Sequence, residues 1–331
     1  MLKELKDTLL KTKKRIIIST HVNPDGDAIG SEIALANTLK KLGKNVSILN
    51  QDPTPLQFKF LEKYFDSYAI ENISNKEPVL VILLDVNDIN DIGKNIKMFL
   101  TEELHEPEIV VIDHHAPNTI NKNYKYIVDE GRSSTGEIIY NLIKNELGIT
   151  PDKETAEAIY TAIVSDTKSF RYSRTTVAAH YIAAELMHLG IDHEKIQTEI
   201  FGSNSIGQIC LLGYALSNIK LSDNKKIAYT VLTLDELKRC SVLAPETKGF
   251  INHLLTIKDV EVAVLFRQDK ENLTKISIRS KGNYPIHDLA VKLGGGGHKF
   301  AATFSCEGKP SSCIEKVISG LEELTKGTPI K

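Results

Sequence analysis

The stretch 15–30, RIIISTHVNPDGDAIG, decides how the rest of the chain is read. Ile16, Ile17 and Ile18 form an apolar run with no polar alternation, as in a strand covered on both faces. His21, Asp25 and Asp27 then crowd into seven residues. They cannot all face a core, because unpaired buried charge is too costly. Pro24, Gly26 and Gly30 permit the tight course of a loop, and Asp27 would equally suit a cap on the helix expected from about Ser31 to Leu42. A dinucleotide-binding turn would require G-x-G-x-x-G after the first strand, and HVNPDGDAIG stands there instead.

The same design recurs on either side. An amphipathic helix is expected over about 2–12, and a second strand over Asn45–Asn50. PVLVILLD (78–85) and EIVVID (108–113) are apolar until they end in Asp85 and Asp113, the latter followed by His114 and His115. Helices are expected over 135–149, 152–164 and 175–190, with Asp166 after the second of them. Apolar strands alternating with helices predict an α/β fold with a parallel sheet, and such sheets place their sites beyond the C-terminal strand ends. From about 225 the texture changes. IAYTVLT, VEVAVLFR and TKISIRS read as strands, a helix near 286–293 leads into GGGG, and FAATFS and a helix over 311–324 follow. The expected organisation is a first domain over 1–190, a helical linker over 191–224 and a smaller α/β domain over 225–331.

Bulk properties narrow the function. A chain of 331 residues suits two domains, and its 41% apolar and 25% charged residues are those of a globular protein. No apolar run reaches the roughly 18 residues of a membrane span, and the charged amphipathic start lacks the features of a signal peptide, so a cytoplasmic protein is expected. A net charge of −2 disfavours a long nucleic-acid track but not a phosphorylated small molecule or a short oligonucleotide. Cys210, Cys240, Cys306 and Cys313 have no CxxC spacing and read as reduced thiols rather than a disulfide or metal pair.

Aspartates and imidazoles together suit manganese, magnesium, cobalt or zinc, and several carboxylates with few cationic neighbours in sequence are explained if metal ions compensate them. Two ions about 3.5–4 Å apart can activate water and hold a phosphoryl group. The residues alone do not decide which of His114 and His115 is a ligand. A second constellation is GGGGHKFAATF (294–304): either a flexible loop, or backbone brought close to an anion. Arg279, in SIRSKG, alternates with Ile276 and Ile278; it reads as a solvated strand residue or as a phosphate-binding fork. Ser133, Ser134 and Thr135 suit a helix cap, with Arg132 and Arg171 as further phosphate candidates, and Lys281 and Arg267 as weaker ones. Tyr284 and Phe300 read as packing or as a platform for a base.

HVNPDGDAIGS, the Asp85 strand, VIDHH and VSDT resemble the ordered motifs of the DHH phosphoesterase superfamily, and R-S-K…GGGGHKFAAT resembles its DHHA1 domain. The resemblance spans nearly the whole chain and is strongest to the compact oligoribonuclease and 3′-phosphoadenosine-5′-phosphate (PAP) phosphatase group. It implies two divalent ions, Mn²⁺ foremost, with Mg²⁺ or Co²⁺ as substitutes. His21, Asp25 and Asp85 would hold one ion, and Asp27, Asp85, His114 and Asp166 the other. It assigns catalytic roles to Asp85, Asp113 and His115, with Asp113 orienting the imidazoles and His115 acting on phosphate or leaving oxygen. It assigns substrate contacts to Arg279, Gly295, Gly296, Gly297 and His298, and makes Arg132, Ser134 and Lys281 further candidates. The implied substrates are short single-stranded RNA of about two to five nucleotides, or single nucleotides, without long duplex or membrane, and with room for a homodimer. Cyclic di-AMP and its linear product are the alternative substrates; a nucleotide-sensing or RNA-binding module with a dead site would be expected to lack metal residues, and none is missing.

Overall fold

The computed structural model describes residues 1–65, 78–116, 120–172, 174–247 and 249–330, which form two compact units, Met1–Ser203 and Asn204–Lys331. The first contains α1 (Leu2–Lys11), β1 (Arg15–Ser19), α2 (Gly26–Lys41), β2 (Val46–Ile48), β3 (Val79–Leu84), α3 (Lys94–Met98), β4 (Glu108–Asp113), β5 (Lys125–Val128), α4 (Thr135–Asn141), α5 (Lys153–Thr167), α6 (Val177–His188) and α7 (His193–Phe201). Among the described residues its five strands are all parallel, in the order β2-β1-β3-β4-β5.

The apolar strands are explained by burial on both faces. Ile16, Ile18, Leu80, Ile82 and Leu84 join the core shared with α2, α4 and α5, whereas Ile17, Val79, Val81 and Leu83 join the core containing Ile96 and Phe99. Each such side chain contributes about 1.5–3 kcal/mol of transfer free energy. Strand order reverses direction at β1 and β3, and doubly wound sheets offer their crevice at such a point. His21, Asp85 and the Asp113-His114-His115 run lie at or just beyond the C-terminal ends of the adjacent strands β1, β3 and β4.

Two expectations are corrected here. The helix expected from Ser31 begins at Gly26, because Asp25 caps it by accepting from the Asp27 and Ala28 N–H groups. Asp27 is therefore a first-turn helical residue rather than the cap. Gly26 and Gly30 do not serve a loop either; a Cβ at Gly30 would collide with the Ala158 carbonyl of α5. They let α2 and α5 close on each other. The second correction concerns α5, which runs to Thr167, so Asp166 lies in its last turn rather than after it. The close helix contact thus carries Asp27 and Asp166 toward one place.

The second unit contains α8 (Ile206–Ser217), β6 (Lys220–Leu221), β7 (Ile227–Leu232), α9 (Leu234–Arg239), α10 (Phe250–Leu254), β8 (Val262–Lys270), β9 (Leu273–Ser280), α11 (His287–Lys292), β10 (Gly296–His298), β11 (Ala301–Glu307) and α12 (Pro310–Lys326). Its mixed sheet has the order β10-β11-β9-β8-β7-β6. The final part of the glycine run is itself the edge strand β10. Ala301 of β11 stands opposite both His298 and Arg279, which places the three residues in one row across the sheet. Cys306 and Cys313 form a disulfide, contrary to the reading as reduced thiols. Gly308, at φ 108°, turns the chain between β11 and α12 and returns Cys313 to Cys306, a path that residue spacing does not disclose. Among the described residues, no helix is long and apolar enough to cross a membrane.

Candidate metal centre

His21, Asp25 and Asp85 each offer a ligand atom within 4.8 Å of the others, and so do Asp27, His114 and Asp166. Backbone geometry aims several of these groups. Asp85 adopts a left-handed φ of 56°, an uncommon state for a residue other than glycine, with its N–H held by the Ile112 carbonyl at 3.0 Å. The His21 Nδ1 lies 2.8 Å from the Val22 carbonyl, which fixes the proton on that nitrogen and turns Nε2 toward Asp85 Oδ2 at 3.8 Å.

The two histidines after β4 have different surroundings, and this separates their roles. His114 is buried, and its Nε2 lies 3.5–3.6 Å from carboxylate oxygens of Asp27, Asp85 and Asp166. Its Nδ1 lies 3.2 Å from the Arg132 carbonyl and 2.9 Å from Arg174 Nη2, while Nε2 is the nitrogen turned to the carboxylates. His115 is more exposed and its Nδ1 is held by Asp113 Oδ1 at 2.9 Å. The same oxygen accepts from the N–H groups of His114 and His115, and Asn87 Nδ2 donates to the other at 2.9 Å. Asp113 thus orients the pair from behind.

Asp27 is held at the start of α4. Its two carboxylate oxygens accept from Thr135 N–H at 2.7 Å and Gly136 N–H at 2.9 Å. The expected cap is also present, since Ser134 is buried and its hydroxyl accepts from Glu137 N–H. The N–H groups of that helix end therefore serve a protein carboxylate.

The electrostatics test whether cations fit. Burial and the neighbouring carboxylates of Asp166 and Asp25 push the Asp27 pKa well up; burial and Asp27 do the same to Asp85. Asp166 is pushed up to about 6 by burial and by Asp25, and its Oδ2 is buried without a hydrogen bond. His114 is pushed down to about 3 by burial and by the charges of His115 and Arg174, so it stays neutral. Asp113 is the exception: burial raises its pKa, but the His115 hydrogen bond and charge outweigh that and hold it low. Crowded carboxylates, an orphaned oxygen and a neutral imidazole fit divalent ions of intermediate hardness.

Residues 15–163 match the DHH family N-terminal domain, and residues 224–327 match the DHHA1 domain. The chain carries a DHH N-terminal domain followed by a DHHA1 domain. It is 29% identical to the bifunctional oligoribonuclease and PAP phosphatase NrnA of Thermus thermophilus over 94% of this chain and 90% of that protein. A crystal structure of an exopolyphosphatase-related protein from Bacteroides fragilis is 27% identical, with a TM-score of 0.88 and 98% of each chain covered. The RecJ structure with Mn²⁺ from Thermus thermophilus shares the fold at 15% identity and a TM-score of 0.58, covering all of this chain and 55% of RecJ.

In the DHHA1 domain the candidate substrate residues fall into separate groups. Arg279 lies on the half-exposed face of β9, with Nη1 donating to the Ile278 carbonyl at 2.9 Å. Cβ atoms at Gly295 and Gly297 would collide with Phe304 and with the Ala301 carbonyl, so packing on β11 already explains those two glycines. A Cβ at Gly296 would meet open space. His298 is placed by its backbone on β10, and its side chain lies outside what is described. Lys281 Nζ is held by the carbonyls of Ile257 and Lys258, and Arg267 by Asp269, Ala244 and Thr247. Tyr284 is a core residue whose hydroxyl accepts from Lys226, not a base platform.

In the DHH domain, Arg132 pairs with Asp129 at 2.9 Å. Sequence reasoning passed over Arg174, choosing Arg171 from the same FRYSR stretch. Arg174 is the arginine that reaches the centre, with Nη2 2.9 Å from His114 Nδ1 and Nη1 3.8 Å from Asp166 Oδ2. A loop arginine has no periodic signal that would have distinguished the two.

Proposed function

We propose that this chain hydrolyses short oligoribonucleotides, about two to five nucleotides long, to nucleoside 5′-monophosphates and also removes the 3′-phosphate of PAP. It is a phosphoric ester hydrolase, and divalent metal ions are its cofactor. The observation that carries the reading is the convergence of His21, Asp25, Asp27, Asp85, His114 and Asp166 from separate elements of the DHH domain. Its NrnA relative in Thermus thermophilus, whose name gives both activities, matches across both domains.

Divalent ions held by those six residues supply charge stabilisation to phosphoryl oxygens and activation of water. The chain's own residues do the rest. Asp85 holds its carboxylate between the two ligand sets, Asp113 holds the His115 ring by Nδ1, and His115 Nε2 delivers a proton to the leaving oxygen. In the DHHA1 domain the row of Arg279, Ala301 and His298, with Gly296 beside it, recognises a terminal phosphate. Remote binding energy of this kind helps orient the reacting group and so acts on turnover as well as affinity. Short RNA fragments and free nucleotides are cytoplasmic species, and that is the proposed place of work.

The test is a matrix of kcat/KM for wild type, Arg279→Ala and His298→Ala, with Mn²⁺, on bis-p-nitrophenyl phosphate, PAP, pApA, cyclic di-AMP, a 5-mer RNA and a 24-mer. Wild type should favour the 5-mer and pApA over the 24-mer. Arg279→Ala should lose activity sharply on pApA and only mildly on the ester. Equal losses on ester and dinucleotide would deny the DHHA1 domain a recognition role, and a preference for cyclic di-AMP would move the protein to signal turnover.

A further inference from the structure

We propose that Arg174 is a substrate residue of the DHH domain, its guanidinium gripping a non-bridging oxygen of the phosphoryl group under attack. The proposal rests on the phosphoesterase reading and adds a residue to it.

The chain leaves α5 through Lys168, Ser169 and Phe170, three successive non-glycine residues at φ 48°, 57° and 63°. Each left-handed residue of this kind costs on the order of 1–3 kcal/mol and persists only where its surroundings enforce it. Here they do. Ser169 N–H donates to the Val164 carbonyl, Phe170 N–H to Thr167 Oγ1 and Arg171 N–H to the Thr167 carbonyl, while the Phe170 ring stacks on His180. Beyond the turn, Thr176 caps α6 and its hydroxyl donates to Glu137 Oε1 at 3.0 Å. Arg174 is thus suspended between two anchors, one at the metal-ligating end of α5 and one on α4.

From there its guanidinium lies over the histidine pair, with Nη2 2.9 Å from His114 Nδ1 and Nη1 3.5 Å from His115 Nε2. Neither imidazole offsets its charge, and the carboxylate of Asp166 is 3.8 Å away, beyond hydrogen-bonding distance. The side chain is 42% exposed, so that ion pair contributes little to stability and does not account for the strained turn. Arg132, the neighbouring arginine, already has Asp129 at 2.9 Å and Glu137 at 3.8 Å. With the carboxylates of Asp25, Asp27, Asp85 and Asp166 occupied by divalent ions, a phosphoryl anion at this centre still presents a non-bridging oxygen that needs a donor. A planar fork of N–H donors on its solvent side is the group suited to receive it.

The experiment uses full-length protein with Mn²⁺ and compares wild type, Arg174→Ala and Arg174→Lys. It reads kcat/KM on bis-p-nitrophenyl phosphate and on pApA, and Mn²⁺ and AMP binding by calorimetry. Arg174→Ala should lose about 100-fold on both substrates by the same factor, as expected for a donor to a transition-state oxyanion. AMP binding should weaken at least ~10-fold while Mn²⁺ affinity stays within about threefold. Lysine restores charge but not the fork, so Arg174→Lys should remain at least ~5-fold below wild type on both substrates, and it carries the test should the alanine variant not fold. Loss on pApA alone, a matching loss of Mn²⁺ affinity, or unchanged rates would each overturn the proposal. A wild type that cleaves the ester but no short RNA would instead sink the oligoribonuclease reading and leave the Arg174 comparison standing.

Discussion

Glycine lies beside the candidate site in both domains, and the two regions use it differently. In α2, Gly26 and Gly30 remove side chains from a contact between helices, and charged residues around them converge on the candidate metal centre. In the DHHA1 edge, Gly295 and Gly297 likewise make room for neighbouring backbone, but Gly296 faces open space. A run of four identical residues is therefore not one feature. The candidate DHH site is built from buried and half-buried carboxylates and imidazoles whose positions follow from packing, whereas the candidate DHHA1 site is a half-exposed strip of backbone and arginine whose loss the core should tolerate.

The largest effect that would break this contrast is on chemistry. Asp85→Asn keeps size and backbone preference but removes the charge shared by both ligand sets, and it should lower turnover by at least ~100-fold. Near-normal turnover with normal metal content, measured by steady-state kinetics and elemental analysis, would mean that the cluster is misassigned.

Next comes packing. Gly30→Ala should cost about 1–3 kcal/mol in chemical denaturation and weaken Mn²⁺ binding, because the new Cβ pushes α2 from α5 and so Asp27 from Asp166. Gly296→Ala should leave stability within about 0.5 kcal/mol of wild type, while lowering activity on pApA if that backbone meets a phosphate. Equal destabilisation by both would erase the contrast.

A smaller effect concerns pH without metal. Asp166, at about 6, and Glu32, pushed up to about 8 by burial despite its hydrogen bond from Asn50, keep protons in the folded chain that the unfolded chain has already released. Stability from these groups is fully present below the unfolded carboxylate pKa of about 4 and is lost as pH rises through about 6 and then about 8. The melting temperature of chelator-treated protein should fall between about pH 5 and 8, and Mn²⁺ should raise it most at the alkaline end. A flat profile without metal would show that these carboxylates are not strained in the folded state.

The smallest is a control outside both sites. Asp152 caps α5 through Thr155 N–H and pairs with Lys41. Asp152→Ala should cost roughly 1 kcal/mol in denaturation and leave turnover alone.

Much of the DHH domain was legible because its signal is a contradiction: charged residues directly after apolar strands, where a core would not accept them. β1, β3 and β4 each carry it, and their adjacency follows from parallel topology. What was hidden depends on contacts distant in sequence. Whether Gly30 serves a loop or a helix contact is decided by Ala158, and the role of Gly295 by Phe304. The His114 ring is met by the Arg132 carbonyl and Arg174, both distant in sequence, and the Cys306–Cys313 bond follows the turn at Gly308. Arg174 was missed because three left-handed residues without a glycine leave no mark in composition.

Asp85 stands where two requirements overlap. Its left-handed backbone is tolerated best by glycine and, among the other residues, by asparagine and aspartate. Its place between His21 and His114 requires an anionic oxygen. Glycine and asparagine satisfy the first requirement and fail the second, while glutamate satisfies the second and is poorly suited to the first. Aspartate alone meets both, so this position has no conservative neighbour in sequence space, and any drift there must leave either the backbone or the chemistry behind.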